Sequence, residues 1–264
     1  FSRELAELAD VYVDDAFGTA HREHASNVGI TKYLPAYCGL LMQKELVSLG
    51  KIMTNPEHPF GALLGGAKVS DKIGVVQNIL DKVDVILLGG SMAANILSVK
   101  GISVGLSKIE KDKHDIIQNI LREAEKANVT MVLPEDVMVS RDIKGQSEPK
   151  IVQVGKIPKD MYIVDIGPKT MKNFINHLNN CKTVFWNGPM GIYEVPKFSE
   201  GTRNMAYSVA ENKGTTVIGG GSTAEIVEEM KLTDNMTHVS TGGGASLEFL
   251  EGKTLPGVAV LLDK

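Results

Sequence analysis

Cysteine is scarce in this sequence: Cys38 and Cys181 are the only two among 264 residues, and they lie far apart. That spacing argues against a disulfide-stapled scaffold and favours reduced thiols in the cytoplasm. Charge of one sign is scarce too. A net charge of −4 and a pI near 5.9 disfavour a general binder of nucleic acid or of membrane surfaces, so any anionic ligand must meet a local basic site. No apolar run approaches the length of a membrane span. Phe1 to Asp10 contain no initiator Met, basic n-region or apolar h-region. Opening inside an amphipathic pattern, the chain is expected to be a fragment of a longer one. No His or Cys is spaced to complete a metal site with His21 and His24, which read as a loop pair making local hydrogen bonds. The remaining composition, 43% hydrophobic and 23% charged, is that of a globular protein with one large or two smaller domains.

What is present is a regular change of period. After a short helical stripe at Leu5, Leu8 and Ala9, Val11–Val13 reads as a strand. Pro35–Met53 reads as a helix with Leu40, Leu41, Leu46, Leu49 and Ile52 on its apolar side. The prolines of Asn55-Pro56-Glu57-His58-Pro59 stop it and mark the best candidate domain boundary. Strand-like runs follow at Ala62–Leu64, Val83–Leu88, Val129–Leu133, Tyr162–Val164, Thr183–Trp186, Thr215–Ile218 and His238–Ser240. Helical patterns separate them, clearest at Val69–Leu80, Ala93–Leu97, Lys111–Ala127, Thr170–Leu178, Ser199–Ala210 and Ala224–Met230. Such alternation predicts an α/β fold, a mostly parallel, doubly wound sheet with helices on both faces. Lys144–Lys156 reads as a loop or a small hairpin.

Glycine clusters follow five of these strands: Gly65-Gly66, Gly89-Gly90, Asn187-Gly188-Pro189, Gly219-Gly220-Gly221 and Thr241-Gly242-Gly243-Gly244. In a doubly wound sheet these turns share the carboxyl edge, where ligands bind, and together they imply close backbone approach to one. The turn Gly220-Gly221-Ser222-Thr223 opens a helix whose free N–H groups and dipole suit an anion, and Gly243-Gly244 repeats the device. Lys68 and Lys72, four apart in Gly65–Lys72, are expected on one helical face reaching one anion. The P-loop spacing is absent. Gly219–Ala224 fits a dinucleotide fingerprint, but no acidic partner lies between His238 and Ser246, which demotes a Rossmann-type NAD-dependent dehydrogenase. Arg22 is a candidate anion contact. Lys108, Lys111 and Lys113 read as a solvated helix start, and Met42, Met53, Met92 and Met190 as core or pocket filler.

Together the motifs resemble the phosphoglycerate kinase family, from Asp10 to Val258. The likeness is most specific at AFGTAHREHAS (Ala16–Ser26), GGAKVSDK (Gly65–Lys72), WNGPMG (Trp186–Gly191) and HVSTGGGASL (His238–Leu247). The resemblance implies reversible phosphoryl transfer from 1,3-bisphosphoglycerate to ADP, giving 3-phosphoglycerate and ATP, by a cytoplasmic monomer using Mg-ATP or Mg-ADP. It assigns Arg22 to the bisphosphoglycerate, Lys68 to the phosphoryl group in flight and Lys72 to nucleotide phosphate. Gly89, Gly90 and Ile163 would line the adenine pocket, with Asn187 near the phosphates and Glu194 on the ribose. Gly220, Gly221, Ser222 and Thr223 would cradle the phosphates, and Gly243 and Gly244 would face the transferred group.

The sequence also departs from the family pattern. Ser222 stands where the family has a metal-binding Asp, which predicts looser metal dependence or coordination through water. Ser91 and Ile163 replace glycines of the adenine pocket. The family's earlier N-terminal lobe segment, with its Asp-x-Asn motif and arginines, is not present. The implied division is 1–36 as a partial second lobe, 37–58 as an interdomain helix, 59–246 as the nucleotide lobe and 247–264 as a returning segment. A second reading, for the chain as given, is a nucleotide-binding module without turnover.

Overall fold

The computed structural model describes residues 1–261. It opens with α1 (Ser2–Ala6) and β1 (Tyr12–Asp14), the latter where a strand is expected. The partner of β1 is β2 (Ala36–Cys38), parallel and in register Tyr12 to Ala36. These residues begin the stretch expected to be helical. Long-range pairing with β1 outweighs their local pattern, and α2 (Leu40–Thr54) starts only after Gly39. Asp15, remote in sequence, accepts a hydrogen bond from the Met42 N–H at 3.0 Å and so caps the first turn of α2. The buried side of α2 carries Met42, Glu45, Leu49 and Ile52, whereas Leu40 and Leu41 are exposed, which corrects the apolar stripe read from sequence. It stops at Thr54, ahead of Pro56.

The remaining elements are β3 (Phe60–Leu64), α3 (Ile73–Ile79), β4 (Val85–Leu88), α4 (Gly90–Val99), α5 (His114–Lys126) and β5 (Thr130–Val132). Then come β6 (Asp136–Ser140), β7 (Lys150–Gln153), β8 (Tyr162–Ile166), α6 (Pro168–Asn180), β9 (Thr183–Asn187) and α7 (Glu200–Glu211). The described chain closes with β10 (Thr215–Gly219), α8 (Gly221–Glu229), β11 (His238–Val239), α9 (Gly244–Leu250) and α10 (Pro256–Ala259).

Six strands form one parallel sheet in the order β11-β10-β9-β3-β4-β5. Successive side chains of a strand face opposite ways. Ala62 and Leu64 accordingly join a core with Met42, Val76 and Ile117 from α2, α3 and α5. Leu63 joins one with Phe174, Met205 and Val227 from α6, α7 and α8 on the other face. The expected parallel sheet covered on both faces is therefore observed.

Tyr162–Val164 does not enter that sheet. It lies in β8 of a separate three-stranded sheet, order β7-β6-β8, antiparallel throughout. Its centre, β6, is too short and too irregular for a clear period, with a register shift at Met138/Val139. The expected hairpin survives in part, as β7 within Lys144–Lys156.

Residues 1–36 share the main core: Phe17 and Ala20 are fully buried among α2 and α9 residues. The returning segment closes on them through a hydrogen bond from the Gly257 N–H to Ala20 O, 2.8 Å. Its last three positions lie outside the described residues. Among the described residues no helix is long and apolar enough to cross a membrane.

Candidate functional site

Strand order fixes where a ligand can enter. The chain moves from β3 outward to β5, then returns to β9 and moves outward the other way. The connections after β3 and β9 thus leave in opposite directions and open a crevice at the carboxyl ends of these two strands. Both strands end in glycine turns that touch. A Cβ built on Gly65 would lie 2.1 Å from Pro189 O, and one on Gly188 would lie 2.5 Å from Gly65 O. The Gly66 N–H donates to Pro189 O at 2.8 Å and the Gly90 N–H to Met190 O at 3.0 Å. Glycine at these three turns therefore also serves packing of turn on turn, in addition to the close ligand approach expected of the clusters.

The turn after β3 does not run straight into a helix. Residues 65–72 form a loop, and α3 begins at Ile73 with Lys72 as its N-cap. Lys68 and Lys72 therefore do not share a helical face. Lys68 is exposed, whereas Lys72 is 7% exposed with its Nζ 3.1 Å from a Cβ built on Gly66. Lys72 is in none of the ion pairs of the described residues. Burial lowers its pKa, opposed only by the charge of Asp71. A cation held dry beside a glycine turn is poised for an anion.

Beside this loop lies a cavity of about 380 Å³. Gly66, Gly90 and Ser91 form one side, Ile163 and Val164 another, and Met190 and Glu194 the mouth of β9. Gly90, Ile163 and Glu194 are thus brought together as expected, while Gly89 sits behind, against Met190. Lys108, read from sequence as part of a solvated helix start, is exposed and also borders this cavity. Asp165 also lines it and was not anticipated. Burial pushes its carboxyl up to about 7, against hydrogen bonds from the Gly201 and Ile166 N–H groups, and the charge of Glu200 adds to the rise.

The turn after β10 presents Gly221 and Ser222, both exposed, at the start of α8. Gly220 has φ +85°, a left-handed conformation that favours glycine. Asn187 is 2% exposed, and its side-chain nitrogen is buried without a protein partner, facing the Gly219–Gly220 turn. Thr223 differs from its expected role. Its hydroxyl is buried and accepts the Gly188 N–H at 2.7 Å, so it ties α8 to the crevice turn rather than offering itself to a ligand.

The turn after β11 brings Gly243 and Gly244 beside the loop carrying Arg22. A Cβ on Gly244 would lie 3.3 Å from His21 Nε2, which accepts a hydrogen bond from Arg22 Nε at 3.2 Å. This turn is anchored to α2 by Glu45, 1% exposed. Glu45 pairs with His238 Nε2 at 2.8 Å and accepts from the Thr241 N–H at 2.6 Å and hydroxyl at 2.8 Å. Burial acts to raise the Glu45 pKa, but these donors outweigh it and hold the carboxyl below its ordinary value.

A family model described as phosphoglycerate kinase matches residues 1–253. The chain belongs to the phosphoglycerate kinase family. It is 50% identical to the phosphoglycerate kinase of Finegoldia magna over 98% of this chain and 65% of that protein. Identity is likewise 50% with that of Dictyoglomus turgidum, over 100% of this chain and 67% of the relative. Among solved structures, phosphoglycerate kinase from Coxiella burnetii superposes with a TM-score of 0.91 at 38% identity, covering 98% of this chain and 67% of that one. The chain thus spans about two thirds of the length of the relatives it matches.

Within this family member, Glu45 and Asp165 carried no sequence signal. Each is a single acidic residue in an otherwise ordinary helix or strand, and only burial with its donors marks it. Cys38 and Cys181 are both free thiols. Met42, Met92 and Met190 are buried, as expected of filler.

Proposed function

We propose that this chain supplies the nucleotide side of a phosphoglycerate kinase, which transfers a phosphoryl group reversibly from 1,3-bisphosphoglycerate to ADP. The observation that carries the reading is the buried ammonium of Lys72, unpaired among the described residues, beside Gly66 at the crevice between β3 and β9 and next to a cavity of about 380 Å³. The base would enter between Gly90 and Ile163, with Glu194 reaching the ribose. Its phosphates would run along Lys72 toward the N–H groups of Gly221 and Ser222, with the Asn187 amide beneath. Lys68 and the N–H groups at Gly243-Gly244 would meet the transferred group, and Arg22 the bisphosphoglycerate. Preorganised donors of this kind stabilise charge spread over the equatorial oxygens. No general base is needed, because the attacking atom is already a phosphate oxygen.

The family generally uses magnesium with the nucleotide. The residues here do not by themselves make a protein-held magnesium site. Among the described residues no group of three His, Cys, Asp or Glu side chains converges, and Ser222 offers only a neutral hydroxyl. A cation would arrive already bound to the nucleotide phosphates. The division at 1–36, 37–58, 59–246 and 247–264 belongs to the same proposal, supported by the stop of α2 at Thr54 and by the Gly257–Ala20 bond. A monomer in the cytoplasm completes it. Family membership leaves the dehydrogenase reading without support, whereas a nucleotide-binding module without turnover stays in play for the chain as given.

Calorimetric titration with ADP, ATP and NAD tests the nucleotide reading. ADP and ATP are expected to bind and NAD to compete with neither. Tighter binding of NAD than of ADP would overturn the proposal. A coupled assay on this chain and on one lengthened to match its relatives then separates enzyme from module.

A further inference from the structure

Lys68 and Lys72 belong to a loop with no regular structure, yet both need a fixed position to serve an anion. Two hydrogen bonds hold the start of that loop. The Gly66 N–H donates to Pro189 O, and Gly66 O accepts the Ser91 N–H, both at 2.8 Å. Its middle is held at Val69, whose N–H donates to Glu110 Oε1 at 2.7 Å. Val69 O in turn accepts the Lys72 N–H at 3.0 Å. Glu110 is itself fixed, because its own N–H donates to Asn95 Oδ1 at 2.7 Å, and Asn95 Nδ2 donates to Ser91 O at 2.8 Å. Asn95 is 1% exposed, so its amide has no water to exchange for these partners.

These bonds close a ring, Gly66 to Ser91 to Asn95 to Glu110 to Val69, with Lys68 inside its span and Lys72 one turn beyond. Ser91 also lines the cavity beside the loop. We propose that Glu110 is a positioning residue: it fixes Val69, and through it sets the two lysines in register with the α4 turn that borders the nucleobase cavity. The proposal rests on the nucleotide reading above for what the lysines bind, but not for the ring itself. Glu110 touches no ligand in this account. Its carboxylate matters as a hydrogen-bond acceptor, so Gln can replace it and Ala cannot.

Two measurements on this chain test the proposal, with thermal unfolding of each variant as a check on folding. The first is amide hydrogen exchange at Val69, which needs no nucleotide. Glu110→Ala should speed that exchange at least about tenfold, and Glu110→Gln should restore most of the protection. Unchanged exchange in Glu110→Ala overturns the proposal whatever the chain binds. The second compares ADP with adenosine. Glu110→Ala should lower ADP affinity by about tenfold and leave adenosine within about twofold, with Glu110→Gln close to the original protein. Equal losses for both ligands would mark general disruption of the cavity, and a Gln variant as weak as Ala would show that charge rather than acceptance matters. Either result overturns the proposal. Absence of ADP binding in the unaltered chain would instead refute the nucleotide reading and leave the exchange test standing.

Discussion

Lys72 is buried with no carboxylate partner among the described residues. An ammonium taken out of water without a carboxylate partner is costly, and its lowered pKa records that cost. Lys72→Met should therefore raise the melting temperature slightly while weakening ADP binding by roughly ten- to a hundredfold, the scale of a charge-assisted hydrogen bond. Lys68→Ala, at an exposed position, should leave ADP affinity within about threefold and lower turnover in a lengthened chain. Calorimetry and the coupled assay distinguish the pair; equal ADP losses would sink the division of roles. Ser222→Asp should raise the preference for Mg-ADP over metal-free ADP, because a carboxylate is a far better ligand for a hard cation than a hydroxyl. Identical titrations would remove that idea. Asp165 gives a pH prediction. Its folded pKa, about 7, lies above the ordinary 3.8 because of burial, so the folded state holds the proton more tightly. Its stabilising contribution is complete below about pH 4 and is lost as pH rises toward 7. Chemical denaturation from pH 4 to 8 should show that slope, and Asp165→Asn should flatten it.

Residue identity was legible for motif members and not for their supports. Lys68 and Lys72 stand out in sequence because cations beside glycine are chemically distinctive, and Arg22 through the motif Ala16–Ser26 that carries it. Glu45, Asn95 and Glu110 do not, since nothing in their neighbourhood sets them apart from solvated polar residues until the fold buries or pairs them.

At the scale of elements, α2 is the joint of the molecule. Its buried Glu45 reaches across to His238 and to both donors of Thr241, at the turn that leads to Gly243 and Gly244. Glu45→Ala strands these donors in a dry site and should cost roughly 3 kcal/mol in urea unfolding at pH 7. Glu45 is held below its ordinary pKa, so its contribution is present above the carboxylate range and is lost as pH falls through the folded value. Wild type and variant should accordingly converge in stability as pH falls below the ordinary carboxylate range; a gap that persists once Glu45 is protonated would refute the electrostatic account. The α2 case also shows what periodicity misreads. Leu40 and Leu41 look like core in a helical pattern, yet the side turned inward carries Met42, Leu49 and Ile52 together with Glu45.

At the scale of the whole molecule, the N-terminal segment is tied to the main core through Phe17 and Ala20. Phe17 is fully buried among residues of α2, α3 and α9, and Trp186, the single tryptophan, lies in the core on the opposite face of the same sheet. Phe17→Ala should destabilise the fold by about 3–5 kcal/mol. The loss should be visible in Trp186 fluorescence and in far-ultraviolet circular dichroism at the same denaturant concentration. A Trp186 transition unmoved by Phe17→Ala would show two independent units.

The sequence by itself determined the alternation of strand and helix, the parallel sheet with covered faces, and the glycine turns at its carboxyl edge. These are local properties: each follows from period, proline or glycine within one stretch of chain. The tertiary structure decided which turns meet. Pairing β3 with the distant β9, as well as with its neighbour β4, seats Gly65 against Pro189. Packing of the loop after β3 buries Lys72 while leaving Lys68 in water. Antiparallel pairing with β6 places Tyr162–Val164 in a second sheet. Partners so distant in the chain leave no mark on local period, because their contact energy exists only once both segments have been brought together.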